Sequence, residues 1–157
     1  MVLDVGALGP LTSPPDTLQV FLGSCHVFLQ PLAFGIDVEE TFPLSNYRGV
    51  TVGQLAVQLA LCDTAGHLNQ GYDWLAQPSD LQGRRVDMMV KIVHASKVAW
   101  LTDDDSRGVM ARFRFYTDPQ FRESKAVHGK RTPAFRYAKQ FTLSKVGLCW
   151  RRCCCLP

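Results

Sequence analysis

Six cysteines and four histidines are the residues of this 157-residue chain best suited to nucleophilic or metal chemistry. Cys25 and His26 are chain neighbours in an apolar, strand-like run. Successive strand side chains point to opposite faces, so this thiol and imidazole cannot pair as nucleophile and base. Cys62 also stands alone among apolar residues, where a reduced thiol acts as a small hydrophobe. The histidines show neither a His-Glu-x-x-His pair nor any other metal-ligand spacing. A phosphate loop needs glycines that let backbone amides surround phosphates, then Lys and a hydroxyl for magnesium. The nearest segment, residues 124–131, opens with Ser124 and puts Arg131 where the hydroxyl belongs. No Gly-x-Ser-x-Gly elbow occurs. Asp103, Asp104 and Asp105 offer hard oxygen ligands, but calcium takes about six to eight oxygens and no second acidic loop follows. The chain is therefore read as having no catalytic residue, no metal site and no cofactor.

Chemistry of another kind gathers in the last nine residues, where Cys149, Cys153, Cys154 and Cys155 stand beside Trp150, Arg151 and Arg152. Cysteines beside Trp and Arg suit reversible acylation, and two or more acyl chains hold firmly to a membrane. Cys153, Cys154 and Cys155 are the lipidation candidates. Pro157 in last place departs from the prenylation pattern. The competing reading is an unselected terminus, from an alternative reading of the transcript.

The elements that must carry these residues are strands. Residues 53–61 alternate, with Leu55, Val57, Leu59 and Leu61 on one face. Residues 86–95 place Val86, Met88, Val90 and Ile92 on one face, with Asp87 and Lys91 opposite. Residues 108–116 put Val109, Ala111, Phe113 and Phe115 on one side, and Arg112 and Arg114 on the other. Residues 20–29 and 135–143 are two further strands, the latter with Tyr137, Phe141 and Leu143 in phase. Period two recurs with no long helical stripe, which predicts an all-β, antiparallel fold with one wet face. The prolines of residues 1–18 predict an irregular leader. A β unit over 19–62, a polar linker over 63–85, a second β unit over 86–146 and a Cys-rich tail over 147–157 complete the organisation.

Hydrophobic residues make up 46% of the chain and charged ones 20%, which excludes a wholly disordered chain. No apolar run approaches the length of a membrane span, and residues 1–10 lack a basic segment followed by an apolar one, so a cytosolic protein is expected. The net charge of +3 hides an asymmetry: residues 1–83 hold one basic residue against eight acids, residues 84–157 sixteen against six. Such a dipole attracts acidic partners.

Two segments carry a family likeness. Residues 21–32, Phe-Leu-Gly-Ser-Cys-His-Val-Phe-Leu-Gln-Pro-Leu, precede residues 47–59, Tyr-Arg-Gly-Val-Thr-Val-Gly-Gln-Leu-Ala-Val-Gln-Leu. Together they resemble the non-motor stalk of kinesin-3 class motors. Residues 86–96 look like the strand that opens the β region further along those tails, and residues 108–116 like the aromatic strand after it. The likeness runs over about residues 20–146 in the same order, and residues 86–116 are also similar to the first half of a C2-type sandwich. The resemblance implies a partial, C2-like β-sandwich, read as a fragment of a motor that uses ATP to move organelles or vesicles along microtubules. Its stalk modules serve cargo attachment, autoinhibition or dimer contacts. The implied partners are a cargo adaptor, other segments of the motor and, through the parent, microtubules, in a cytoplasmic, cytoskeleton-associated setting. Arg112, Arg114, Lys130 and Arg131 are the contact candidates, and nucleic acid is not an expected partner. The alternative is a peripheral module whose basic residues meet anionic membrane while acylated Cys153, Cys154 and Cys155 hold it there.

Overall fold

The computed structural model describes residues 1–8, 19–98, 108–114, 120–128 and 130–143. Strands dominate: β1 (Val2–Leu8), β2 (Gln19–His26), β3 (Val38–Ser45), β4 (Thr51–Leu61), β5 (Val86–Ser96), β6 (Val109–Arg114), β7 (Arg122–Glu123) and β8 (Ala134–Leu143). Two short 3-10 turns, Pro31–Phe34 and Pro78–Leu81, are the helical elements described. The strand order is β7-β6-β1-β2-β3-β4-β5-β8, and the fold is all-β and antiparallel, consistent with a partial sandwich. No helix among the described residues is long and apolar enough to cross a membrane.

The alternation that predicted the strands matches their burial. Leu55, Val57, Leu59 and Leu61 are buried along β4, as are Val86, Met88, Val90 and Ile92 along β5. On β6, Val109, Ala111 and Phe113 are buried, Arg112 is half-buried and Arg114 is exposed. Three strands go beyond the predicted set. Residues 2–8, expected to be irregular, form β1, because β2 and β6 supply ladders on both sides of it. Glu39, Glu40 and Pro43 interrupt the apolar pattern of β3, and β7 has two residues. Asp87, expected on the polar face of β5, is buried instead.

The chain divides into two compact units. The first comprises Met1–Val27, Thr41–Val57 and Ile92–Tyr137. Here β1 pairs with β2 from Val2↔His26 to Leu8↔Gln19 and with β6 from Val2↔Arg114 to Ala7↔Val109. Leu3, Leu44, Leu55 and Phe113 fill the core, and Tyr137 meets Phe113 edge-on, ring centroids 5.6 Å apart. A Cβ on Gly53 would come within 3.0 Å of the Val98 backbone, so this position of β4 stays without a side chain.

The second unit comprises Phe28–Glu40, Gln58–Lys91 and Ala138–Pro157, so residues 63–85 lie inside one unit. Its core is Leu32, Val38, Leu59, Leu61, Cys62, Leu81, Val86, Met88 and Val90. Residues 63–85 are held at several points. Cys62 bridges to Leu68, the Asn69 amide donates to the Leu61 carbonyl (2.9 Å), and Leu81 is buried.

Candidate functional site

The predicted contact residues belong to the first unit. Strand alternation sends Arg112 and Arg114 to the side of β6 away from Phe113. Both guanidinium groups lie over the ring of Phe121, at 4.2 Å and 4.9 Å from its centroid. The negative face of the ring holds two like charges close together. Residues 122–127 track along β6: Arg112 pairs with Glu123 and Phe113 with Arg122. Ser124 Oγ accepts from the Ala111 amide (3.0 Å), and Val109 and Val127 exchange both backbone bonds. The segment that partly resembles a phosphate loop is thus a strand partner rather than a loop before a helix. Gly108 makes room for His128, whose Cε1 would stand 2.6 Å from a Cβ there. Lys125, Lys130 and Arg131 are exposed, which adds to the positive charge of this part of the chain. Asp103, Asp104, Asp105, Phe115, Cys153, Cys154 and Cys155 lie outside the described residues.

A second arrangement, in the second unit, has no counterpart in the sequence reading. A cleft of about 570 Å³ is lined by Cys62, Asp63, Thr64, Gln70, Gly71, Tyr72, Trp74, Arg84, Arg85 and Asp87. Tyr72 anchors one wall: its hydroxyl accepts from the Asp87 amide (2.7 Å) and donates to the Asp87 carbonyl (3.1 Å). Burial raises the Tyr72 phenol above its usual range. Trp74 donates its indole N–H to the Gly71 carbonyl (2.7 Å), and the two rings sit 5.8 Å apart. Residues 81–84 form a type II turn. Gln82 has φ −62 and ψ 127, Gly83 has φ 73, and the Arg84 amide donates to the Leu81 carbonyl (3.1 Å). This turn sets the Arg84 guanidinium over Trp74, 4.2 Å from the ring centroid.

Asp87 shows why a polar residue sits in an apolar strand. Its carboxylate accepts a two-pronged contact from Arg85 (3.1 and 3.2 Å) and a bond from the Thr142 hydroxyl. A buried carboxylate needs such partners to offset its lost hydration. Asp63 Oδ1 accepts from the Ala65 and His67 amides (2.9 and 2.8 Å), and its Oδ2 faces the imidazole of His67 (2.9 Å). His67 chiefly holds this carboxyl below the usual range. Burial, aided by Asp87 and Asp63, pushes the Cys62 thiol up to about 11, so it is a core thiol and not an activated nucleophile. Cys25 is buried while His26 is exposed, on opposite faces of β2 as alternation requires. Among the described residues no group of three or more His, Cys, Asp or Glu side chains converges as a metal site.

No protein-family model matches the chain. Pairwise similarity does better. The rat kinesin-like protein KIF28 is 32% identical over 118 residues, 75% of this chain. Its mouse counterpart is 34% identical over 113 residues (71%), and human kinesin-like protein KIF28P is 30% identical over 132 residues (84%). The chain is similar to a segment of kinesin-like proteins. That segment is short: the match takes in 11% of the rat and mouse proteins and 13% of the human one. The similarity extends over most of the present chain rather than over a short motif.

Proposed function

We propose that the chain is a non-catalytic stalk or tail segment of a kinesin-like motor, a C2-like β module that binds protein partners. The observation that carries this reading is similarity over 71–84% of the chain to about a tenth of three kinesin-like proteins. The basic face supports a contact role, since two arginines seated on Phe121 present a concentrated charge that steers acidic partners. Arg112, Arg114, Lys130 and Arg131 make the contacts. The partner is a cargo adaptor, another segment of the motor or a second copy of the module. The motor would carry organelles or vesicles along microtubules, which places the module in the cytoplasm with the cytoskeleton.

The test adds the purified chain to the microtubule-stimulated ATPase reaction of the rat relative lacking its matching segment. Cross-linking through Lys130 follows in the same mixture. The expected result is a slowed motor and cross-links to motor segments, both weakened in the double variant Arg112→Glu, Arg114→Glu. ATP turnover by the chain alone would overturn the reading. So would capture on phosphatidylserine vesicles without any binding to motor segments, which is the outcome the membrane alternative requires.

A further inference from the structure

The cleft beside Trp74 has a chemical bias that its lining does not reveal at first sight. It contains acids and bases, but most are already committed. Asp63 is spent on two backbone amides and His67, and Asp87 on Arg85 and Thr142. Asp80, outside the cleft wall and close enough to feel the charge of Arg84, is spent on the Ala76 and Gln77 amides (3.0 and 2.9 Å). Arg84 differs from these. Its guanidinium rests on Trp74, and no hydrogen bond or ion pair to a described residue engages its side-chain N–H groups. The type II turn and the indole favour this placement of the group, so part of the entropy of ordering it is met before a ligand arrives. Thr64 and Gln70 add a hydroxyl and an amide that no described residue engages, and Tyr72 and Trp74 an aromatic shelf.

We propose that this cleft is a peptide-binding site that takes a carboxylate of an acidic linear segment, with a neighbouring apolar side chain laid on the Tyr72–Trp74 shelf. A guanidinium seated on an indole, with side-chain donors that no described residue engages, matches a carboxylate by two parallel N–H···O bonds. The carboxylate is favoured over a phosphate because Asp63 and Asp87 line the cleft and Asp80 lies near Arg84. A dianion doubles the repulsion from these acids along with the attraction of Arg84, and one guanidinium without a described partner is matched in charge by one carboxylate. The volume of about 570 Å³ accommodates two or three side chains and lies within the range of ligand clefts. Arg112 and Arg114 take no part, so the site stands or falls separately from the basic face.

The full chain is titrated with the blocked tripeptide acetyl-Phe-Glu-Phe-amide, followed by calorimetry and by the Trp74 indole N–H resonance. The Gln analogue and the phosphotyrosine analogue acetyl-Phe-pTyr-Phe-amide run as parallel arms. The Glu peptide is expected to bind and to move the indole resonance, with the Gln analogue about tenfold weaker. Arg84→Ala should weaken the Glu peptide about tenfold or more. Arg84→Lys, which keeps the charge without the planar fork, should weaken it by less, and Arg114→Ala should leave it unchanged. Gln70→Ala, an exposed substitution that leaves the Trp74 seat intact, should weaken it about threefold, which guards against misreading a folding defect. Equal binding of the Gln analogue, tighter binding of the phosphotyrosine peptide, full binding by Arg84→Ala, or loss of binding in Arg114→Ala would each overturn the proposal.

Discussion

Two of the regions that seat guanidinium groups on aromatic rings do so by different routes. On the face of β6, regular alternation sends Arg112 and Arg114 the same way, and Phe121 lies beneath both. Beside β5, the seat of Arg84 on Trp74 is assembled from irregular backbone. It takes an indole bonded to Gly71, a tyrosine clamped on Asp87, a 3-10 turn held by Asp80 and a glycine at positive φ. The first arrangement follows from period two and survives local change. The second is the sum of several separate bonds, most between residues three apart and one between Tyr72 and Asp87, fifteen apart, so it should fail piecewise when any one is cut.

The sharpest separation of the two comes from the packing beneath them. Phe113→Ala removes the ring under the β6 face and its edge contact with Tyr137, and should cost about 3–5 kcal/mol by urea unfolding. An unchanged midpoint would show that β6 is not held by its apolar side. Asp87→Asn should cost about 1.5–3 kcal/mol, because it removes charge-assisted bonds from Arg85 and Thr142. Hydrogen exchange should then quicken at residues 71–75 and stay unchanged at residues 109–113, the reverse of the Phe113→Ala pattern.

Gly83→Ala isolates backbone strain, since nothing lies within 4 Å of the added methyl. The positive φ alone should cost about 1–2 kcal/mol and reduce the order of Arg84 on Trp74, visible as a changed indole environment. A gradual effect is expected at high pH. The unfolded Cys62 thiol ionises near 9.0 and the folded one near 11, so the unfolded state loses its proton first. Stability should be flat below pH 9.0 and fall as pH rises toward 11, with Tyr72 acting in the same sense. Cys62→Ala should flatten part of that slope. The smallest effect is at the acid end. Asp63 and Asp80 titrate below 3.8, so the stability they contribute is present above that pH and is lost as pH falls through their lower folded values. Asp63→Asn and Asp80→Asn should each remove a little of the acid slope in a thermal-melt series.

How much of this was legible follows the same division. Strands β4, β5 and β6 show in the sequence because each turns one apolar face inward, a local property with period two, and β2 and β8 show by their apolar and aromatic residues. Strand β1 is hidden by its glycine and by the prolines after it, and becomes a strand only through pairing with β2 and β6. Strand β3 is hidden by two glutamates and Pro43. The basic face was visible as Arg112 and Arg114 two residues apart, though Phe121 as their shared seat was not. Residues 63–85 read only as polar and glycine-rich. Nothing local in Tyr72, Trp74 or Arg84 announces a cleft, because its bonds span up to 77 residues, as from Gln140 to Asp63.

By itself the sequence determined the class of fold, the apolar faces of β4, β5 and β6 and the similarity to kinesin-like proteins. Those depend on side-chain type repeated along the chain. The tertiary structure alone decided that Asp87 is buried and satisfied, that Cys62 is a core thiol, and that Arg84 stands over Trp74 with donors that no described residue engages. Each of these turns on which distant groups meet in space, where a buried charge needs a partner and a seated cation needs a ring. Neither requirement leaves a periodic trace in the sequence.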